Sequence, residues 1–196
     1  MPDRSVLEAL ASVAAGLGLA AACGFRVFVP LLLAGLAGRF GYLPLAGGFE
    51  WLGTFPALLV FGSATVLEVG AYYVPWLDHA LDAIATPASV VAGMVAAASV
   101  VTDLPPLLKW LVVIVGGGGG AGLIQGTSVL LRLKSSALTG GLGNPAIATL
   151  ELVGAAGTAL LAILLPLVAL LLVIALLGFS IRSTGRLLFG RRSATP

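Results

Sequence analysis

Apolar stretches of about 20 residues recur along the whole chain and limit what it can fold into. Of the 196 residues, 59% are hydrophobic and only 9% are charged, whereas soluble domains carry roughly 25% charged residues. The runs are continuous and lack the residue-by-residue alternation of a membrane β-barrel. The sequence therefore predicts an all-α integral membrane protein.

These stretches divide into about six predicted transmembrane helices. The first, residues 7–38, would be roughly 48 Å long as a straight helix, against a membrane core of about 30 Å. We expect it to break at Gly24 and Pro30, because proline removes a helical hydrogen bond and clashes with the preceding turn. The later spans are predicted, in chain order, at residues 55–73, 87–101, 107–131 and on either side of Pro166 within 145–181.

The distribution of charge places the ends of the chain. Six spans put both termini on one side, and a cytoplasmic placement gives seven Lys and Arg residues inside and two outside. The positive-inside rule therefore favours two cytoplasmic termini, with residues 182–196 as a basic cytoplasmic tail.

The net charge is +2, and the basic residues are scattered or lie near the C-terminal end. That distribution does not indicate nucleic-acid binding.

The two halves of the chain, residues 7–103 and 107–181, resemble each other weakly. Ala-Gly-Leu precedes Arg26 at the same distance as it precedes Arg132, and each half carries one glutamate in its second span. Three spans per half is an odd number, so the second half would enter the membrane from the opposite side. The pattern suits two inverted three-helix repeats with broken or re-entrant helices, although chance matches are frequent in a chain rich in Ala, Gly and Leu.

Residues 112–151 depart most from a simple membrane span. Five consecutive glycines, 116–120, either unwind the backbone or let a neighbouring helix pack closely, since each weakens a helix by about 1 kcal/mol relative to alanine. A second glycine-rich turn precedes Asn144 and Pro145, which suit the cap and first turn of a new helix. The predicted helix breaks are Gly24, Pro30, Gly116, Gly118, Gly120, Gly140, Gly141, Gly143 and Pro145.

Four ionisable side chains lie in or beside the predicted spans. Arg26 and Arg132 cannot lose a proton and so require a carboxylate, carbonyl groups or an anionic ligand, unless Arg132 extends to the cytoplasmic face. Glu68 and Glu151 either form structural salt bridges with arginine or carry protons. With nearby polar residues they define the predicted substrate or ion pathway: Arg26, Glu68, Gln125, Thr127, Ser128, Arg132, Asn144 and Glu151.

Neither catalysis nor metal binding is predicted. Asp78, His79 and Asp82, on a short amphipathic turn at the surface, are too few for a complete metal site, and Cys23 is the single cysteine. The one histidine would also have to serve as the base of any Ser/His/Asp arrangement. We therefore predict no enzyme activity, no metal and no cofactor. A lipid-modifying enzyme that uses those three surface residues is the weaker alternative.

Three segments of the chain resemble a known family. They read GLAAACGFRVFVPLLLAGLAGRFGYL, TPASVVAGMVAAASVV and GLIQGTSVLLRLKSSALTGGLGNPAIATLELVGA. They are similar to a family of small bacterial inner-membrane proteins that is catalogued only as a domain of unknown function, and the resemblance covers residues 6–172. It implies a bacterial inner-membrane location and transfers no substrate and no catalytic residue to this chain.

Two classes of function remain open. The first is a small-solute or ion transporter or channel with a polar site at the membrane midplane, where broken helices meet. In it the arginines favour an anionic solute and the glutamates couple protons. The second is a scaffold or assembly subunit whose Gly/Ala helix faces pack against another protein or against copies of this chain. The lipid bilayer is a partner in both, and the transporter is our working hypothesis.

Overall fold

The structure is a computed structural model that describes the backbone of residues 2–74, 77–102 and 104–189 and the side chains of 6–74, 81–102 and 104–185. Every regular element in these ranges is helical, as predicted. In chain order the α-helices are α1 Pro2–Cys23, α2 Phe28–Arg39, α3 Phe55–Ala71, α4 Leu77–Ala98, α5 Pro106–Leu111, α6 Gly120–Thr139, α7 Asn144–Leu164 and α8 Pro166–Phe189. A 3₁₀ turn covers Glu50–Gly53, and a π-helix, Val112–Gly119, joins α5 to α6.

Five helical stretches of the described chain are long and apolar enough to cross a membrane. They are Val6–Cys23, Leu81–Ala98, Pro106–Thr139, Asn144–Leu164 and Pro166–Gly185. The helices α2 and α3 are apolar but shorter. Large apolar side chains such as Leu67 and Leu150 point outward along the bundle, which suits a lipid surrounding. The chain is therefore a multi-pass membrane protein.

The predicted break in the first apolar stretch is confirmed. It covers residues 24–27, between α1 and α2. Pro30 lies in the first turn of α2, where its missing N–H costs no helical hydrogen bond. Beyond α2 the chain returns to the N-terminal half of α1, because Leu43 lines the same cavity as Ser12. The two helices thus form a hairpin, and we call residues 24–27 the hairpin tip.

Small residues allow other helices to approach the hairpin closely. A Cβ atom on Gly18 of α1 would lie 2.6 Å from the side chain of Ala162 in α7. A Cβ atom on Gly24, at the hairpin tip, would lie 2.6 Å from the carbonyl oxygen of Ala121 in α6. Since Cβ atoms do not approach other atoms so closely, any larger residue at either position would force the helices apart. The hairpin is therefore held directly against α6 and α7.

The five-glycine run is wound into a helix, so the predicted break at Gly116, Gly118 and Gly120 is wrong. The π-helix continues into α6 without interruption. Close contact explains the glycines better than unwinding does, because a Cβ atom on Gly117 would lie 2.9 Å from the carbonyl oxygen of Gly93 in α4. Of the two interpretations of the run, the structure supports helix packing.

The second glycine-rich turn does end a helix, as predicted. Gly140 and Gly141 follow α6 with φ values of 62° and 90°, in the left-handed region that glycine adopts without steric cost. α7 then begins at Asn144 with Gly143 as its cap and Pro145 in its first turn. The asparagine is thus the first helical residue and not the cap that the sequence suggested.

Two further predicted boundaries can be compared with the structure. The division of residues 145–181 at Pro166 is confirmed, since α7 ends at Leu164 and α8 begins at the proline. The separate surface turn predicted for residues 78–84 is wrong. These residues belong to α4, which continues through Pro87 as one helix of 22 residues.

Candidate functional site

Four ionisable side chains from four elements meet inside the bundle, and we call Arg26, Asp82, Arg132 and Glu151 the charge cluster. Arg132 of α6 donates from Nη1 to Oδ1 of Asp82 in α4 at 2.5 Å, and from Nη2 to Oε2 of Glu151 in α7. Nη2 of Arg26, at the hairpin tip, lies 3.5 Å from that same Glu151 oxygen and donates to the backbone oxygen of Ala148 at 2.8 Å. Both arginines are 1% exposed. Ion pairs therefore connect the hairpin tip to α7, and α6 to α4 and α7.

Tyr72 lies against both arginines of the charge cluster. The guanidinium carbons of Arg26 and Arg132 are each 4.0 Å from the centroid of its ring, within the range of cation–π attraction. Its hydroxyl donates to Oδ1 of Asp82 at 3.2 Å. The tyrosine, just after the end of α3, is buried. Its ring therefore offsets part of the repulsion between two guanidinium groups held close together.

Glu68 stabilises the backbone of the hairpin tip and does not pair with an arginine. Its Oε1 accepts the N–H of Val27 at 2.8 Å, and its Oε2 accepts the N–H of Phe28 at 3.1 Å. These N–H groups lie at the N-terminus of α2 and have no acceptor within that helix. Negative charge is also favourable at a helix N-terminus. No ion pair joins Glu68 to an arginine among the residues that the structure describes.

Several polar atoms of the charge cluster have no hydrogen-bond partner within the described part of the chain. They are Nε and Nη1 of Arg26, Nε of Arg132 and Oε1 of Glu151. Buried polar atoms are normally paired, and an unpaired one costs about 1–3 kcal/mol. Attachment of the helices to one another does not by itself require these unpaired atoms.

The other predicted pathway residues are buried but lie apart from the charge cluster. Gln125, Thr127 and Ser128 occupy α6 one to two turns before it. Oγ1 of Thr127 is bonded to its own helix and lies 3.4 Å from Oγ1 of Thr184 in α8. Asn144 donates to a serine hydroxyl near the end of α6 at 2.9 Å. Thr127 and Asn144 thus fasten α6 to α8 and α7.

Sequence reasoning did not assign two residues to this site: Asp82, a member of the charge cluster, and Tyr72, which lies against its arginines. Asp82 was expected on the surface beside Asp78 and His79, but it is 5% exposed; the side chains of the other two lie outside the described residues. A usable signal was present, because Asp82 continues a helical stripe of small buried residues on α4: Ala85, Ser89, Ala92 and Ala96. The signal depends on treating α4 as one helix.

The charge cluster does not lie midway along the helices, where the sequence predicted a polar site. Asp82 is the sixth of 22 residues in α4, and Glu151 is the eighth of 21 in α7. Both are therefore about 8–10 Å from one end of their helix and about 20–24 Å from the other.

An open groove of about 400 Å³ reaches Asp82 between α4 and α6. A second cavity, of about 360 Å³, lies at the opposite end beside Ser12 and Thr102.

Comparison with known proteins gives one result. The sequence profile of a family described as Domain of unknown function (DUF4126) matches residues 13–186. No curated protein and no solved structure matches the chain. The matched range includes the hairpin tip and every member of the charge cluster, and the resemblance predicted from the sequence is confirmed.

Proposed function

The chain belongs to the family described as Domain of unknown function (DUF4126), and on that premise we propose that it is a small membrane transporter. The charge cluster would bind and release a proton or another cation as the solute crosses. The observation that carries the proposal is the buried Oε1 of Glu151, which accepts no hydrogen bond from the residues that the structure describes. A buried carboxylate without a full set of partners readily takes up a cation.

The hairpin supports this proposal. Interrupted helices within a membrane occur where the backbone lines a polar site, and transporters commonly build their ion sites from them. Here the interruption places Arg26 beside Glu151. Arg26 comes from the first half of the chain and Arg132 from the second, and both contact the same carboxylate. That convergence suits the predicted inverted repeats, which stay a prediction.

The charge of the transported species is inferred from the same residues. The sequence suggested an anionic solute because of the two arginines. Both arginines, however, already contact the carboxylate of Glu151, so an anionic solute would have to displace it from them. That carboxylate would repel an anion and attract a cation. We therefore favour a cationic species and propose that the protein catalyses no covalent reaction.

A scaffold or assembly subunit is the second candidate function. It is favoured by the ion pairs of Arg132, which join α4, α6 and α7. Buried ion pairs fix the register of helices even where they add little stability. In that case the charge cluster would be permanent and the small-residue helix faces would be covered by copies of the chain or another subunit.

Proton flux into liposomes that contain the purified protein tests the two candidates. We expect flux above that of empty liposomes, and we expect Glu151→Gln to lower it at least about tenfold, because the amide cannot take up a proton. The measurement is the fluorescence of a trapped pH-sensitive dye after a pH jump. Glu50→Gln is the matched control, since Glu50 is exposed on the 3₁₀ turn.

Two results would contradict the proposal. Equal flux in the Glu151→Gln variant and the unmodified protein, with both proteins monodisperse in size-exclusion chromatography, would remove Glu151 from the transport path. The absence of flux for protons, sodium and potassium alike would favour the scaffold.

We infer that the two termini lie on opposite sides of the membrane, and not together as the sequence suggested. Ser12 of α1 hydrogen-bonds with Thr102 just after α4, and it shares a cavity with Pro166 at the start of α8. The first helix therefore starts at the end of the bundle from which α8 departs. Lys and Arg favour the C-terminal end, with Lys134, Arg182, Arg186, Arg191 and Arg192 against Arg4, Arg39 and Lys109. By the positive-inside rule, this distribution supports a cytoplasmic C-terminus in a bacterial cell.

Cysteine labelling in intact cells checks this topology. A membrane-impermeant maleimide should label Ser5→Cys in intact cells but Ser193→Cys only after lysis. The native Cys23 is fully buried and adds little background. Equal accessibility of the two introduced thiols would contradict this topology and favour two termini on the same side of the membrane.

A further inference from the structure

A groove between the C-terminal ends of α2 and α7 is lined almost entirely by apolar side chains. Its volume is about 220 Å³. Phe40 and Leu164 on its rim are exposed, so the groove opens on the outer surface of the bundle, which in a membrane protein faces acyl chains. The residues that line it are Leu33, Leu36, Ala37, Phe40, Tyr42, Leu160, Ile163 and Leu164. We call it the α2–α7 groove.

A more polar cavity adjoins the α2–α7 groove. It is the cavity of about 360 Å³ beside Ser12 and Thr102, and we call it the end cavity. Tyr42 and Ile163 line both the groove and the end cavity, so the two are neighbours. An apolar surface and a polar surface thus follow each other at this end of the bundle, in the order in which a lipid presents its chain and its head.

The hydroxyl of Thr102 is a free donor in the end cavity. Ser12 holds the backbone of this residue against α1, because its Oγ accepts the N–H of Thr102 at 3.3 Å and donates to the backbone oxygen of Ala9 at 2.9 Å. The Thr102 hydroxyl itself makes no hydrogen bond to any residue that the structure describes, and the residue is half-buried. A donor in such a position is satisfied by a carbonyl oxygen.

We propose that this end of the bundle binds one membrane phospholipid as a fixed ligand. One acyl chain lies in the α2–α7 groove, and an ester carbonyl of the lipid accepts the hydroxyl of Thr102. Tyrosine is enriched at the depth of the lipid esters and head groups, and Tyr42 is exposed between the groove and the end cavity. Glu8, which also lines the end cavity, is exposed, so water screens its charge from the head group.

The two contacts contribute differently to binding. A chain that leaves the bilayer for the α2–α7 groove moves from one apolar surrounding to another, so it gains packing but little hydrophobic free energy. The hydrogen bond to the ester is therefore the contact that distinguishes this lipid from its neighbours in the bilayer. One such bond corresponds to a preference of about three- to tenfold. No member of the charge cluster lines the groove or the end cavity, so the inference is independent of transport.

Photocrosslinking tests the position of the chain. The full protein is placed in nanodiscs of phosphatidylcholine, a small share of which carries a diazirine in one acyl chain, and labelled peptides are identified by mass spectrometry after irradiation. We expect residues 33–40 and 160–164 to be labelled at least about threefold more than the exposed residues 171–174 of α8. Leu160→Trp fills the groove and should remove this excess. Val153→Trp, on the exposed surface of the same helix, is the matched control and should retain it.

A change of host lipid tests the ester contact. Ether-linked phosphatidylcholine has the same chains and head group but no ester carbonyl, so it should compete less well for the site. The excess labelling by the ester-linked probe should rise at least about threefold in nanodiscs of the ether lipid. Thr102→Val should abolish that rise, and Thr102→Ser, which keeps a hydroxyl, should preserve it.

Three results would overturn the proposal. The first is equal labelling of the groove and of α8, and the second is an excess that survives Leu160→Trp; either would remove the lipid from the groove. The third is the same excess in the ester and ether hosts, which would remove the contact with Thr102. Circular dichroism of each variant checks that the helices are retained. The flux measurements with Glu151→Gln are decided separately, because neither experiment alters the charge cluster.

Discussion

Replacing Arg132 by Met lowers the free energy of unfolding by roughly 3–5 kcal/mol, because two buried carboxylates then lose their shared cation. Asp82 and Glu151 both contact this guanidinium, and neither is exposed enough for water to replace it. A single substitution therefore breaks the ion pairs that join α6 to α4 and to α7. The measurement is unfolding in mixed micelles by SDS titration, followed by circular dichroism.

Lys134→Met is the matched control for that variant. Lys134 lies two residues further along the same helix and is exposed, so its loss should change stability by no more than about 0.5 kcal/mol. Combining Arg132→Met with Glu151→Gln should recover part of the loss, since one of the uncompensated charges is then removed. An Arg132→Met protein as stable as the control would mean that the charge cluster contributes little to the fold.

Glu68→Leu should destabilise the protein by roughly 2–5 kcal/mol. The leucine leaves the N–H groups of Val27 and Phe28 without an acceptor at the hairpin tip, and each buried unpaired group costs about 1–3 kcal/mol. Glu68→Gln retains one acceptor oxygen and should lose about half as much. The same unfolding titration measures both variants.

Glu50 offers a control for the Glu68 experiment with the same kind of contact. Its carboxylate accepts the N–H of Gly48 at 2.8 Å, but the bond is exposed, so water can replace the carboxylate. Glu50→Leu should therefore cost less than about 1 kcal/mol. If the Glu68 and Glu50 variants lose equal stability, the carboxylate at the hairpin tip is not the element that holds the tip closed.

The sequence predicted the helical class, the break in the first stretch and the end of α7, because each depends on local properties. An apolar run longer than the membrane must bend somewhere, and Gly24 and Pro30 marked the place. Pro166 marked the boundary between α7 and α8 in the same way. In these cases composition and backbone geometry decide the structure without information about neighbours.

The partners of the charged residues were not predictable in the same way. Glu68 and Glu151 look alike in the sequence, yet one binds backbone N–H groups and the other binds arginine. The difference arises because α2 folds back along α1 and presents its open N-terminus to Glu68. Asp82 was assigned to the surface because Pro87 suggested a helix boundary that α4 does not have. Tertiary contacts decided both cases.

The helix α3 carries Glu68 to the hairpin tip and leads directly to Tyr72, yet it packs sparsely. Along its 17 residues only Ala57, Phe61 and Glu68 are buried, while Val66 and Leu67 are more than 70% exposed. The rest of the described chain therefore supplies little of the packing that keeps α3 in position, and its exposed apolar face suits contact with acyl chains. We accordingly expect bilayer thickness and fluidity to act on the tyrosine that touches both arginines, so the lipid mixture chosen for reconstitution should be varied in experiments on the charge cluster.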